Sequence, residues 1–308
     1  MGEVRTERLG RLSPDQVRDV MSLVEAATDV DGVNPLSEHV LLHLKHGGDA
    51  PAANLLALDG DRAVGYAHLD STDVVEGASA EVVVHPDERG RGVGTALVKA
   101  LPSGRLRLWA HGQHPAAAAL AKGLGFEQSR VLWQMRRSLY APLPAPQWPD
   151  GVTVRTFVVG QDEDDWVRVN ARAFEKLPDQ GSWTCDDLIA REKEPWFDPA
   201  GFFIAERDGA MIGFHWTKVH GADNDPSAHG HQPVGEVYVV GVDPDAQGIG
   251  LGPALTLTGL RHLRARGLPS VMLYVDEANT NAIGVYERLG FSRWDTDVSY
   301  RRADTSRS

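Results

Sequence analysis

Two stretches of this chain carry glycines at a spacing suited to holding a diphosphate: Val82-Val-Val-His-Pro-Asp-Glu-Arg-Gly-Arg-Gly-Val-Gly-Thr-Ala-Leu97 and Val240-Gly-Val-Asp-Pro-Asp-Ala-Gln-Gly-Ile-Gly-Leu-Gly-Pro-Ala-Leu255. Each reads as an apolar strand, a His-Pro or Asp-Pro corner, a glycine-rich turn and an apolar-periodic helix. Glycine lets the backbone approach a ligand closely, and a helix start offers unpaired N–H groups at the positive end of its dipole. Together they form a cradle for a pyrophosphate. The spacing Arg/Gln-x-x-Gly-x-Gly (Arg89, Gly92, Gly94; Gln247, Gly250, Gly252) is neither the dinucleotide G-x-G-x-x-G fingerprint nor a P-loop, since no Gly-Lys-Ser/Thr follows. Two copies in one context indicate an internal duplication.

The elements that must position these turns repeat as well. An early helix (about residues 14–27 and 163–174) precedes a hairpin at Asp59-Gly60-Asp61 or Asp208-Gly209. The glycine-rich phrase follows, then a strand (106–110; 271–275), a short helix and Leu-Gly-Phe (124–126; 289–291). This order predicts an α/β fold (an α+β mixed sheet) in each half, with helices on both faces. Ala141-Pro-Leu-Pro-Ala-Pro-Gln-Trp-Pro-Asp-Gly151 is too proline-dense for a helix and reads as an extended spacer. The expected organisation is therefore 1–140, a linker over 141–151, a second domain over 152–302 and a disordered tail over 303–308. Residues 221–233, rich in Gly, Asp, Asn, Ser and His, read as a loop.

Composition narrows the class. With 308 residues and 42% hydrophobic content, two cores can be built. A formal net charge of −12 argues against a nucleic-acid backbone as partner. The single cysteine, Cys185, rules out an internal disulfide and reads as a small, partly buried residue. There is no apolar leader-like stretch at the start and no run of 18 apolar residues, so a cytoplasmic location and no membrane association are expected. His111, His215 and His220 match no metal-ligand spacing, and no metal is expected.

The doubled turn resembles the acetyl-CoA signature of the GCN5-related N-acetyltransferases (GNAT), which implies two tandem GNAT-fold domains. The halves differ where that family does its chemistry. Aligned on Leu-Gly-Phe, the second half has Tyr286 where the first has Ala121. In the family, a tyrosine there lies beside the thioester sulfur and can protonate the departing thiolate. Counted back from Pro244 and Pro86, Glu236 meets Ala78. A carboxylate on the strand feeding the cofactor turn implies a general base for the acceptor amine, whose reference pKa is about 8. Backbone N–H groups near Val240 and Val242 would polarise the thioester oxygen. The second half is expected to be catalytic, and the first to be a cofactor cradle without the acid.

End to end, the chain resembles the mycothiol synthase family of tandem acetyltransferases, known from actinobacteria. That likeness rests on Val30-Asp-Gly-Val-Asn-Pro35, Trp109-Ala-His-Gly112, Gln134-Met-Arg-Arg137, Pro178-Asp-Gln-Gly-Ser-Trp183, Trp196-Phe-Asp-Pro199, Gly213-Phe-His-Trp-Thr-Lys-Val-His220, Gly235-Glu-Val-Tyr-Val239 and Leu273-Tyr-Val275. It implies acetyl transfer from acetyl-CoA to the cysteinyl amine of Cys-GlcN-inositol, a small-molecule substrate, by a monomer. It also implies substrate contacts at Glu38, Asp179, Lys218, Glu236 and Tyr274. Acetyl-CoA in the first half would meet Val82, Val83, Val84, Gly90, Arg91, Gly92, Val93, Gly94 and Thr95. In the second half it would meet Val240, Gly241, Val242, then Gln247, Gly248, Ile249, Gly250, Leu251, Gly252 and Pro253, and the helix start Asn279, Thr280, Asn281, Ala282, Ile283 and Gly284. The second turn departs from the family by lacking two arginines after Gln247. An acidic surround of Glu38, Asp179 and Glu236 suits a cationic amine, and Lys218 and Tyr274 suit hydroxyls. Asp179 equally suits a turn, and Trp183, Trp196 and Trp216 are expected to pack rather than meet a sugar ring. Acetylation of another amine, or acetyl-CoA binding without turnover, stand as alternatives. Tyr286 and Glu236 argue against the latter.

Overall fold

The duplication is written into the order of elements. The computed structural model describes residues 4–46, 53–71, 77–112, 114–220 and 233–302. The first half runs β1 (Arg5–Leu9), α1 (Pro14–Asp31), α2 (Glu38–His46), β2 (Ala53–Asp59), β3 (Arg62–Asp70), β4 (Ala78–Val84), α3 (Val93–Ala100), β5 (Leu106–Ala110), α4 (Pro115–Gly123) and β6 (Phe126–Ser138). The second runs β7 (Val152–Thr156), α5 (Glu163–Ala173), α6 (Pro178–Gly181), α7 (Cys185–Glu192), β8 (Phe202–Arg207), β9 (Ala210–His220), β10 (Val234–Val242), α8 (Leu251–Ala265), β11 (Ser270–Asp276), α9 (Thr280–Arg288) and β12 (Ser292–Arg302). Local chemistry sets the ends. Ser13 and Gln16 form a capping box ahead of Pro14, and Gly32 closes α1 in the left-handed conformation. Thr184 and Asp187 do the same for α7.

The chain divides into two units. In the first, β1, β2, β3 and β4 pair antiparallel in order, and β4 pairs parallel with β5 from Ala78↔Leu106 to Glu81↔Trp109. Helices α3 and α4 cover one face through Val93, Leu97, Val98 and Ala121. Val20, Leu23, Val24 and Ala27 of α1, with Val40 and Leu44 of α2, cover the other. In the second, β7, β8, β9 and β10 pair antiparallel, and β10 meets β11 in parallel. Trp166, Val169 and Leu188 of α5 and α7 pack one face, and Leu251 and Leu255 of α8 the other.

In both units a glycine, Gly65 or Gly213, stands opposite the last residue of β4 or β10. A Cβ on Gly65 would fall 2.9 Å from Val93 Cγ1, and on Gly213 3.1 Å from Leu255 Cδ1. These glycines let the following helix start lie close on the sheet.

The units do not follow the proline-based boundary. Residues 295–302 were expected in the second domain, yet they belong to the first unit, where Val298↔Ala110 to Arg301↔Arg107 pair β12 antiparallel with β5. Residues 134–140, expected in the first, belong to the second, where Leu139 N–H donates to Pro269 O at 2.9 Å. A strand joins whichever open edge its register fits, and a boundary read from linker composition does not report that. The stretch 141–151 is free of helix as expected, but it packs rather than spans. Leu143 is buried, and Trp148 lies against the core that holds Leu251 and Leu255. Arg301 and Arg302 close β12. Residues 221–232 and 303–308, read as loop and tail, lie outside the described residues. Among the described residues no helix is long and apolar enough to cross a membrane.

Candidate active site

In the second unit, β10 and β11 are in register only at Gly235↔Val271 and Glu236↔Met272, while β10 runs on to Val242 and β11 to Asp276. The strands part immediately beyond Glu236, and an extended chain can lie in such a wedge as an added strand would. On the other side β10 carries a bulge between Val237 and Val239, which leaves Tyr238 as an extra residue. The matching strand β4 pairs with β3 without interruption. That extra residue corrects the count from the prolines. Glu236 pairs with Met272 and Ser79 pairs with Arg107. Met272 and Arg107 stand equally far before Leu289 and Leu124. The first-half counterpart of Glu236 is therefore Ser79, not Ala78.

Glu236, Lys218 and His220 share one face of the sheet. Lys218 stands directly opposite Glu236, and His220 opposite Val234. His220 Nε2 and Glu236 Oε2 share a hydrogen bond at 2.6 Å. Glu236 and Lys218 are each 7% exposed. The Lys218 ammonium lies 4.3 Å from the centroid of the Trp196 ring and 5.4 Å from that of Tyr238. Tyr238 accepts from Arg191 Nε at 3.0 Å, and Arg191 itself lies over Trp183 at 3.7 Å. Trp183, Trp196 and Trp216 pack into the aromatic core around Trp166 and Phe202, as expected. Tyr274, two residues past Met272, is 43% exposed and accepts from Gln134 Nε2 at 2.8 Å. The side chains of Glu38 and Asp179 lie outside the described part of the chain.

Gly250 caps the start of α8 at φ +89° and Gly248 sits at +80°, and a Cβ on either would meet open space. The turn therefore presents bare backbone to whatever lies above it. Gln247 donates to Val242 O at 3.4 Å, as Arg89 does to Val84 O at 3.3 Å, so the two side chains are anchored alike. Asn279, read as a cofactor contact, caps α9 by accepting from Ala282 N at 3.1 Å. Tyr286 faces inward on α9 beside Ile283, and burial pushes its phenol up to about 12. Cys185 is half-buried, and its thiol is held against Asp164, which pushes its pKa up.

The first unit has a cavity of about 490 Å³, lined by Val82, Val83, Val84, Gly90, Gly92, Val93, Gly94 and Thr95, with Leu108, His111, Leu120, Ala121 and Tyr300. The wall overlaps most of the residues read for the first cofactor; Arg91 instead pairs with Glu88. Gly90 and Gly92 are left-handed and open, at φ +74° and +84°. Arg89 is held bidentate by Asp31, both contacts at 2.7 Å.

His111, on the cavity wall, belongs to a cluster that sequence reasoning did not assemble. Glu81 accepts from Ser37 N at 2.5 Å and stands 3.4 Å from His111 Nε2. His111 Nδ1 donates to Asp297 Oδ2 at 3.0 Å, and Gly112 N to Asp297 Oδ1 at 2.9 Å. Burial opposes the charge on His111, but bonds to Asp297 and Glu81 outweigh it and push the imidazole up to about 10. Sequence reading touched this cluster only through His111, as a histidine without metal-ligand spacing and within Trp-Ala-His-Gly, because its members come from three distant segments.

Residues 166–291 match the Acetyltransferase (GNAT) family and residues 51–128 the Acetyltransferase (GNAT) domain. The chain is 59% identical to a mycothiol acetyltransferase of Acidothermus cellulolyticus, over 98% of this chain and 96% of that one. It is 54% identical to one of Streptosporangium roseum, over 97% and 99%. Among solved structures it is similar to a tandem GNAT protein from the clavulanic acid biosynthesis pathway, with TM-score 0.73 and 20% identity over 97% and 98% of the chains. A GCN5-related N-acetyltransferase from Sphaerobacter thermophilus matches with TM-score 0.67 and 26% identity over 98% and 96%.

Proposed function

The chain belongs to the mycothiol acetyltransferase family, acetyl-CoA-dependent acyltransferases of two GNAT domains, and from that premise we propose that its second unit acetylates the cysteinyl amine of Cys-GlcN-inositol. Both units part their parallel strands just beyond a buried carboxylate, Glu236 or Glu81, so the observation that carries the assignment to the second unit is the buried phenol of Tyr286 on α9, where α4 has Ala121. The bare glycine turn and the start of α8 suit a pyrophosphate, and the wedge suits the pantetheine arm. N–H groups of Val240 and Val242 polarise the thioester oxygen. Glu236 takes a proton from the ammonium, and Tyr286, kept neutral by its burial, gives one to the leaving thiolate. Lys218 and Tyr274 offer donors to sugar and inositol hydroxyls, and Glu38 and Asp179 complete the acidic surround.

The first unit binds acetyl-CoA without turning it over. Ala121 has no proton to give, and Glu81 is occupied by Ser37 N–H and His111. The enzyme works as a cytoplasmic monomer on a small molecule, without a metal. The deciding assay offers Cys-GlcN-inositol, GlcN-inositol and free cysteine in parallel with acetyl-CoA. Acetylation of the first and not the second supports the reading, and activity on another amine with none on Cys-GlcN-inositol overturns it.

A further inference from the structure

The proposed reaction leaves a proton over. An ammonium bears three hydrogens and the amide nitrogen it becomes bears one, so two protons leave as the C–N bond forms and the C–S bond breaks. The thiolate takes one, through Tyr286. The other must reach solvent, yet the base that receives it is only 7% exposed.

One side chain joins that carboxylate to the outside. His220 holds Glu236 Oε2 at 2.6 Å through Nε2, and its own side chain is 31% exposed at the end of β9. We propose that His220 is the proton exit of the site: a positioning and relay residue that takes the proton from Glu236 and hands it to solvent between turnovers. The proposal rests on Glu236 being the base. The neutral imidazole starts with its hydrogen on Nδ1; Nε2 accepts the proton that Glu236 has taken from the ammonium, Nδ1 releases its own to water, and exchange with solvent restores the starting tautomer. The other groups facing the pair are placed for different work. The Lys218 ammonium opposite Glu236 on β9 lies over Trp196 and Tyr238, the Tyr238 phenol of β10 is held by Arg191 of α7, and the Tyr274 phenol of β11 is held by Gln134. His215 and His262 belong to the opposite face, against α8.

A relay and a purely structural histidine predict different pH behaviour. Below the amine's pKa of about 8 the substrate arrives as ammonium and the surplus proton must leave; above it the amine arrives neutral and none is left over. The test measures thiol release from acetyl-CoA by the full chain with Cys-GlcN-inositol from pH 6 to 9.5. His220→Gln keeps a donor to Glu236 but cannot titrate. Its kcat is expected to fall roughly 10- to 100-fold at pH 6–7, with KM little changed, and to approach the wild-type value above pH 9. Added imidazole is expected to restore His220→Ala and to leave Glu236→Gln inactive. A deficit in His220→Gln that is the same at every pH, a wild-type rate throughout, or an His220→Ala rate indifferent to imidazole overturns the relay. Should His220→Ala fail to fold, the pH profile of His220→Gln decides alone. The two readings fail separately. A wild-type rate in Glu236→Gln removes the base and the relay with it, whereas an inactive Glu236→Gln beside a wild-type His220→Gln removes only the relay.

Discussion

The ring of Tyr286 packs edge-on against Phe291, with centroids 5.8 Å apart and planes at 65°, and its hydroxyl makes no hydrogen bond to another described residue. The ring is held by packing, to which the hydroxyl adds no bond. Tyr286→Phe should keep the contact and lower kcat roughly 10- to 1000-fold, the range of one acid–base group. The melting temperature should stay within a degree or so of wild type, since no internal hydrogen bond is lost. Wild-type turnover in this variant would return the ring to a purely packing role.

The two cradles offer a matched pair of substitutions. Gly92 and Gly250 have nearly the same φ, +84° and +89°, and a Cβ on either meets nothing within 4 Å. Alanine at either position should cost about 1–2 kcal/mol of left-handed strain. Stability effects therefore cancel in the comparison, and the difference in turnover reports which cradle is used. Gly250→Ala should raise the KM for acetyl-CoA and depress kcat/KM. Gly92→Ala should leave kcat/KM near wild type and weaken one equivalent of cofactor binding by calorimetry. The reverse pattern would move catalysis to the first unit.

Gln247 and Arg89 are anchored to equivalent carbonyls, but only Arg89 carries a charge, and Asp31 neutralises it. Gln247→Arg would put an unopposed guanidinium beside the second turn. The KM for acetyl-CoA should fall a few-fold at low salt, and the gain should shrink as ionic strength rises. An unchanged KM at low salt would place the phosphates away from residue 247.

His111 links the stability of the first unit to pH. Its folded pKa of about 10 lies above the unfolded value near 6.5, so its stabilisation is fully present below pH 6.5 and is lost as pH rises towards 10. Glu81 works in the opposite sense. Burial raises its pKa, but bonds from His111 and Ser37 outweigh that and hold it below the usual carboxylate range, so its contribution disappears only in acid. Melting curves of the wild type should therefore soften between pH 7 and 10. Asp297→Asn should lower stability at pH 7 by about 1.5–3 kcal/mol and flatten that dependence. A wild-type melting temperature constant from pH 7 to 10 would show that His111 is not held as a cation.

Much of this was legible because it is local. The turns around Gly92 and Gly250, the early helices α1 and α5 and the hairpin corner at Asp208-Gly209 depend on residues within a few positions of one another. The bulge at Tyr238 was not legible, since Val237-Tyr238-Val239 contains no glycine or proline and reads as uninterrupted strand. Nor was the bond from His220 to Glu236, which exists only once the register of β9 on β10 is known. Glu81, His111 and Asp297 were invisible as a group for the same reason, taken further: a buried polar cluster needs three strands to be placed before any partner can be named.

The last strand also sets a timetable for biosynthesis. A nascent chain usually completes its N-terminal domain while the rest is still being made. Here β5 and His111 are made well before their partners in β12, and Asp297 follows His111 by 186 residues. The half made first must therefore wait, with one sheet edge open, until that segment of the other half has been made, while residues 134–140 are already at hand for the later half. Cutting the gene at the proline-rich segment would thus yield two fragments that each carry a strand belonging to the other.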